Sequence, residues 1–189
     1  MHRHLALVTA ILAISLPLWA QPAEVTNPRI DIFGGYSHIG NYGIGLNGWI
    51  ASATWNLSRY VGVEGDVSGN YGSHSMGELA LILPNLPKSL SSHMHSFNVG
   101  PNVTYRPKTS SKYDAFGHLL FGTSHTNVDA AGVGEGSTTF SWVLGGGGDY
   151  NFSPDWSARA QLDYMHTNFF SVGNHHGRYA LGLVYHFGK

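Results

Sequence analysis

Cysteine is absent from the 189-residue chain, which removes disulfide scaffolds and cysteine-ligated zinc sites. Basic excess is missing too. Lys plus Arg number 10 against 11 Asp plus Glu, so no nucleic-acid partner is expected. Charged residues make up only 11%, too few for a disordered chain. After the N terminus no apolar run approaches the roughly 20 residues that a membrane helix needs, and mean hydropathy is −0.10. What the chain has instead is glycine, 25 residues, and aromatics, 13%. That glycine content is about twice the ordinary share.

The first residues read as an address. Arg3 precedes an apolar stretch from Leu5 to Trp19, then Ala20 and the polar Gln21-Pro22-Ala23-Glu24. This is the layout of a secretory signal peptide cut after a small residue. The expected organisation is a signal peptide over 1–20, a short segment over 21–28 and one domain over 29–189.

From residue 29 the period is two. Trp49, Ala51, Ala53, Trp55 and Leu57 alternate with Ile50, Ser52, Thr54 and Asn56. Val61, Val63, Val67 and Tyr71 alternate with Glu64, Asp66, Ser68 and Asn70. Eight such segments follow one another, the last setting Tyr179, Leu181, Leu183, Tyr185 and Phe187 against Arg178, Ala180, Gly182 and His186. Successive side chains of a strand point to opposite faces, so each segment has an apolar and a more polar face. The fifth is less clean, because Phe116 and Leu120 share a face with Asp114 and His118.

A soluble sandwich also alternates. Three features favour a barrel in lipid. Aromatics gather at segment ends on the apolar face, Trp55, Tyr105, Tyr150 and Trp156 toward one end and Tyr36, Tyr71, Trp142 and Tyr179 toward the other. Such girdles mark both interfaces of a membrane barrel. Short connections, such as 58–59 and 153–155, alternate with longer ones at 39–46, 72–93, 125–137 and 167–177. The polar face carries charge in mid-strand, Glu64, Asp66, Arg159 and Asp163. An open sheet edge in hydrocarbon would leave backbone groups unsatisfied, so the sheet must close. The expected fold is all-β, an eight-stranded antiparallel up-and-down transmembrane barrel.

Phe33-Gly34-Gly35-Tyr36-Ser37, Val63-Glu64-Gly65-Asp66-Val67-Ser68-Gly69 and the turn Ser153-Pro154-Asp155-Trp156 after residues 144–150 resemble small outer-membrane barrel domains of OmpA/OmpX type. The resemblance implies an outer-membrane location and two partners, outer-membrane lipid and the barrel-assembly machinery. Gly182-Leu183-Val184-Tyr185-His186-Phe187 looks like the signal that machinery reads, with Gly188 and Lys189 added after the usual terminal aromatic.

Glu64, Asp66, His118, Arg159, Asp163 and Arg178 share lumen parity. Charges of both signs in one buried space are expected to form a structural network rather than an acid/base pair, since unpartnered buried charge is costly. Of the 12 histidines, most fall near the longer loops. His93, His95, His175 and His176 are the closest-spaced candidates for a metal ion, although exposed loop histidines are more often ordinary polar residues, and no metal or cofactor is expected. Gly43-Ile44-Gly45-Leu46-Asn47-Gly48 matches a dinucleotide fingerprint but opens a strand instead of a helix. Tyr164-Met165-His166-Thr167-Asn168 approaches the His-x-Ser pair of barrel deacylases but has Asn168 in the serine position. The run over 79–87 is the only apolar stretch outside strands and leader.

These readings converge on a non-enzymatic outer-membrane barrel with a structural and surface role, its loops available for adhesion or ligand contact. A lipid-A-modifying barrel enzyme, a narrow channel and a soluble lipocalin-like carrier remain the alternatives. The carrier would turn the apolar faces inward.

Overall fold

The computed structural model describes residues 29–41, 44–75, 89–107, 112–130, 133–168 and 173–188. The segment read as a signal peptide and the apolar run over 79–87 lie outside them.

Eight strands form, β1 (Ile30–Asn41), β2 (Ile44–Asn56), β3 (Val61–Ser75), β4 (Ser89–Tyr105), β5 (Tyr113–Ala130), β6 (Val133–Asn151), β7 (Trp156–Thr167) and β8 (Asn174–Phe187). Each pairs antiparallel with its sequence neighbour, and β1 pairs with β8, Ile30 opposite Phe187 and Gly40 opposite Gly177. That last pairing closes the sheet and leaves no edge. Both terminal strands end at one rim, here the near end; β1–β2, β3–β4, β5–β6 and β7–β8 turn at the far end.

Alternation fixes which residues face out. Leu181 is 62% exposed and Val103 55%, whereas Glu64, Asp66 and Arg178 are fully buried. Val63 and Leu183 are also outward and exposed, and Arg159 is buried inside. The wall is apolar and the centre polar, the reverse of a water-soluble carrier. A band of this kind is stable only against another apolar phase. Aromatic contacts rim it at both ends. Trp156 meets Tyr185 and Tyr113 meets Tyr150 near one rim, and Phe121 stacks on Phe140 and Trp142 meets Tyr164 near the other.

Two expectations need correction. The connections at 39–46 and 125–137 are mostly strand, not loop. Asn41 pairs with Ile44 and Ala130 with Val133, so two residues remain at each tip. Glycines and polar residues interrupt the apolar positions of these sequences, and the period-two signal fades while the ladder continues. The interior is also not uniformly polar. Ile39, Met94, Leu120, Val143 and Met165 form an inward apolar cluster, and Phe33, Ile50, Ala180 and Val184 form a second. Eight strands enclose a space that side chains can fill, and here apolar groups share that filling with the charges.

Candidate functional site

The interior polar network begins on β3. Residues two apart share a face, so Glu64, Asp66 and Ser68 stack along one wall of the lumen, all buried. Across from them, the neighbouring strands supply donors. Asn102 Nδ2 donates to Glu64 Oε2 at 2.6 Å, and His118 Nδ1 to the same oxygen at 3.0 Å. The other ring nitrogen of His118, Nε2, faces Asp163 Oδ1 at 3.1 Å. Carboxylates only accept, so His118 donates from both nitrogens and bridges β3 to β7 as an imidazolium. Asp163 Oδ2 accepts from Gln161 Nε2 and from Arg178 Nε, each at 2.8 Å. Arg178 Nη2 reaches Asp66 Oδ2 at 2.5 Å. Asn98 Nδ2 donates to Asp66 Oδ1 at 3.0 Å, and Ser141 Oγ donates to Asn98 Oδ1 at 2.8 Å. Strands β3 through β8 are joined in one bonded cluster.

Five of the six lumen candidates, Glu64, Asp66, His118, Asp163 and Arg178, meet in that cluster. Arg159 stands apart. It forks onto Asp149 through Nε and Nη2, both at 2.8 Å, with its guanidinium 4.0 Å from the Phe116 ring centre and 5.2 Å from that of Phe33. Arg159 and Asp149 are direct cross-strand partners of β7 and β6. Asp149 ends the glycine run 145–148 and has the same parity as Thr139 and Ser141; that parity was the available signal for it.

The glycine run has a steric reason. A Cβ on Gly145 would lie 2.0 Å from Asp163 Oδ1 and 2.8 Å from His118 Nε2. No methyl group fits there unless the ion pair opens. Gly34, on the outer face, has nothing within 4 Å of the same position. Gly145→Ala is therefore expected to destabilise the barrel by about 1–3 kcal/mol, the usual penalty of overpacking, while Gly34→Ala does not. Urea unfolding of each variant in detergent micelles measures the difference.

A third set lies at the near end, which sequence reading did not single out. Asp31 accepts from Asn56 Nδ2 at 2.8 Å, from Arg106 Nη2 at 2.7 Å and from His186 Nδ1 at 2.6 Å. His186 Nε2 is 2.6 Å from Ser157 Oγ. Serine, histidine and aspartate thus stand in the order of an acyl-transfer triad. Two features oppose catalysis. Ser157 is fully buried, and its hydroxyl is also bonded to Asn151 Oδ1. A hydroxyl has one proton to give, and a nucleophile needs substrate access and oxyanion donors aimed at the reacting carbon. The set links β1, β2, β6, β7 and β8 across the near mouth.

The histidines named as metal candidates separate. His93 and His95 both face out, but the Tyr71 ring stands edge-on to each at 5.5 Å. His175 faces out, whereas His176 faces in, 3.2 Å from Thr167 Oγ1. Adjacent strand residues point to opposite sides of the wall, so these two cannot share an ion. Among the described residues no group of three or more His, Cys, Asp or Glu is placed to hold a metal ion.

The outer membrane protein beta-barrel domain, as a family, matches residues 6–187. No curated protein matches the chain. Solved structures share the fold at low identity. Ail, the attachment invasion locus protein of Yersinia pestis, superposes with a TM-score of 0.54 at 18% identity over 84% of this chain and 96% of its own. Neisserial surface protein A gives 0.57 at 13% over 84% and 96%. The N-terminal barrel of Pseudomonas aeruginosa OprF gives 0.54 at 13% over 86% and 100%.

Proposed function

Because this chain belongs to the outer membrane protein beta-barrel domain family, its apolar wall meets acyl chains, and we propose that it serves as a non-enzymatic outer-membrane protein that strengthens the envelope and presents its far-end hairpins at the surface. The observation that carries this reading is the bonded cluster from Glu64 through His118, Asp163 and Arg178 to Asp66. It ties opposite walls together and, with the apolar cluster around Leu120 and Met165 above it, fills the space a solute would need. The near end is periplasmic in this reading, and the chain reaches the membrane by signal-peptide export and the barrel-assembly machinery.

Strand length supports display. β5 has 18 residues and β6 has 19, whereas a tilted strand crosses the bilayer in about 9–11. The surplus carries the β5–β6 hairpin past the far girdle into water. Two of the structural neighbours, the attachment invasion locus protein and the neisserial surface protein, carry surface roles in their names, and the same role is proposed here for the hairpin tips.

Three measurements on one refolded preparation test the reading. In planar bilayers the chain is expected to give no unitary conductance steps. Incubated with lipid A, it is expected to leave the lipid mass unchanged. On whole cells, shortening the β5–β6 hairpin is expected to reduce attachment to host cells while the barrel still shows heat-modifiable migration. Discrete conductance, or loss of an acyl chain from lipid A, overturns the proposal in favour of a channel or an enzyme.

A further inference from the structure

A pair of histidines that sequence spacing did not connect meets on the outer wall. His166 on β7 and His175 on β8 are direct cross-strand partners at the far end. His175 is exposed and His166 half-exposed. Their Nδ1 atoms are 3.2 Å apart, with ring centres at 4.7 Å. Tyr164, on the same face, bonds His175 Nδ1 through its phenol oxygen.

A neutral imidazole nitrogen carries either one proton or one lone pair. His175 Nδ1 is shared by Tyr164 Oη and His166 Nδ1 in a three-centre arrangement. In the tautomers protonated at Nε2, a cation would take one Nδ1 lone pair from each ring. The spacing suits one. Two imidazole nitrogens at about 2.0–2.1 Å from the ion lie about 3.3 Å apart around a tetrahedral ion and about 2.9 Å apart at cis positions of a square-planar one, and the observed 3.2 Å falls between the two.

Both rings are held ready. Trp142 stacks on His166 with centres 5.5 Å apart, and Tyr164 stacks on His175 at 5.4 Å. Ligands fixed before binding lose little freedom on binding. Gly173 beside His166 leaves that flank open, since a Cβ there would stand 3.3 Å from His166 Cε1. Asp163, the carboxylate of β7, points to the lumen and is occupied by Arg178 and His118, so it neither competes with nor completes the pair.

We propose that His166 and His175 form a cross-strand site for a divalent transition-metal ion, with Tyr164 as the neighbouring oxygen and the remaining positions open to water. Imidazole ligands favour Cu2+ over Zn2+ and Ni2+. The ion would clamp β7 to β8 at the surface end, a role independent of the proposed envelope function.

The test titrates the full barrel, refolded in detergent micelles, with CuCl2 and reads tryptophan fluorescence, for which Trp142 stacked on His166 is the local reporter. A saturable quench is expected. In the His166→Gln, His175→Gln double variant its midpoint should move to at least tenfold higher copper, while His93→Gln, His95→Gln leaves it in place. These side chains are on the outer surface, and heat-modifiable migration verifies that each variant is folded. As a second readout, Zn2+ should protect His166 and His175 from diethylpyrocarbonate modification measured by mass spectrometry. Absence of a saturable quench in the unaltered chain, or the same midpoint in the 166/175 double variant, overturns the site.

Discussion

Arg178→Met should destabilise the barrel by about 3–5 kcal/mol, the cost of removing one partner from a buried ion cluster. Arg178 is the cation shared by Asp66 at 2.5 Å and Asp163 at 2.7 Å, and none of the three side chains has any exposed surface. Methionine fills much of the volume but returns no charge. Asp163 keeps His118 and Gln161, whereas Asp66 keeps only Asn98. The larger part of the loss therefore falls on Asp66. Adding Asp66→Asn to Arg178→Met should recover stability, because an amide is far less costly to bury than an unpaired carboxylate. Arg178→Lys should fall between the unaltered chain and Arg178→Met, since a single ammonium cannot reproduce a planar fork that spans two carboxylates. Urea titration of the refolded chain in micelles, followed by tryptophan emission, gives all four values. Equal stability of Arg178→Met and the unaltered protein would mean that the cluster does not hold the walls together.

How much of this was legible beforehand varied along the barrel. Between the girdles one face meets lipid and the other the lumen, so side-chain chemistry changes at every step and β2 could be read residue by residue from Trp49 to Asn56. Beyond the far girdle both faces carry polar residues. His125, Thr126 and Thr138 then carry no alternation, although His125 Nδ1 and Thr138 Oγ1 stand 2.7 Å apart in a continuing ladder. Parity alone placed Glu64, Asp66, His118, Asp163 and Arg178 in one space. It could not say that Arg178 reaches Asp66, 112 residues earlier, because that contact depends on how the strands stagger as the barrel closes. The irregular fifth segment held a signal that pattern reading passed over. Phe116 and Leu120 sat on the polar face because the lumen is layered; Phe116 lies against Arg159, and Leu120 belongs to an apolar cluster. His166 and His175 stayed unconnected for a related reason. They are partners only through the β7–β8 register, and nearness in sequence favoured His176, which that same strand turns inward.

The solvent outside the wall can be tested with a single side chain. Leu183 on β8 lies between the girdle residues Tyr179 and Tyr185, opposite Gly34 of β1 and Ala158 of β7. It is 49% exposed. On a water-facing sheet, an arginine at such a position changes stability by no more than about 0.5 kcal/mol. Against acyl chains near the bilayer midplane the same change costs about 2–4 kcal/mol, and near an interface about 0–1. Leu183→Arg should therefore lower unfolding free energy by about 2–4 kcal/mol in lipid vesicles, and Asn168→Arg, exposed just past the far end of β7, by at most about 1. The contrast between depths is the informative quantity. If both variants unfold within about 0.5 kcal/mol of the unaltered chain, the exposed apolar band does not lie in hydrocarbon. A strong penalty at Leu183 with a weak one at Asn168 places β8 across the bilayer, with its charged partners Arg178 and Asp163 paid for inside.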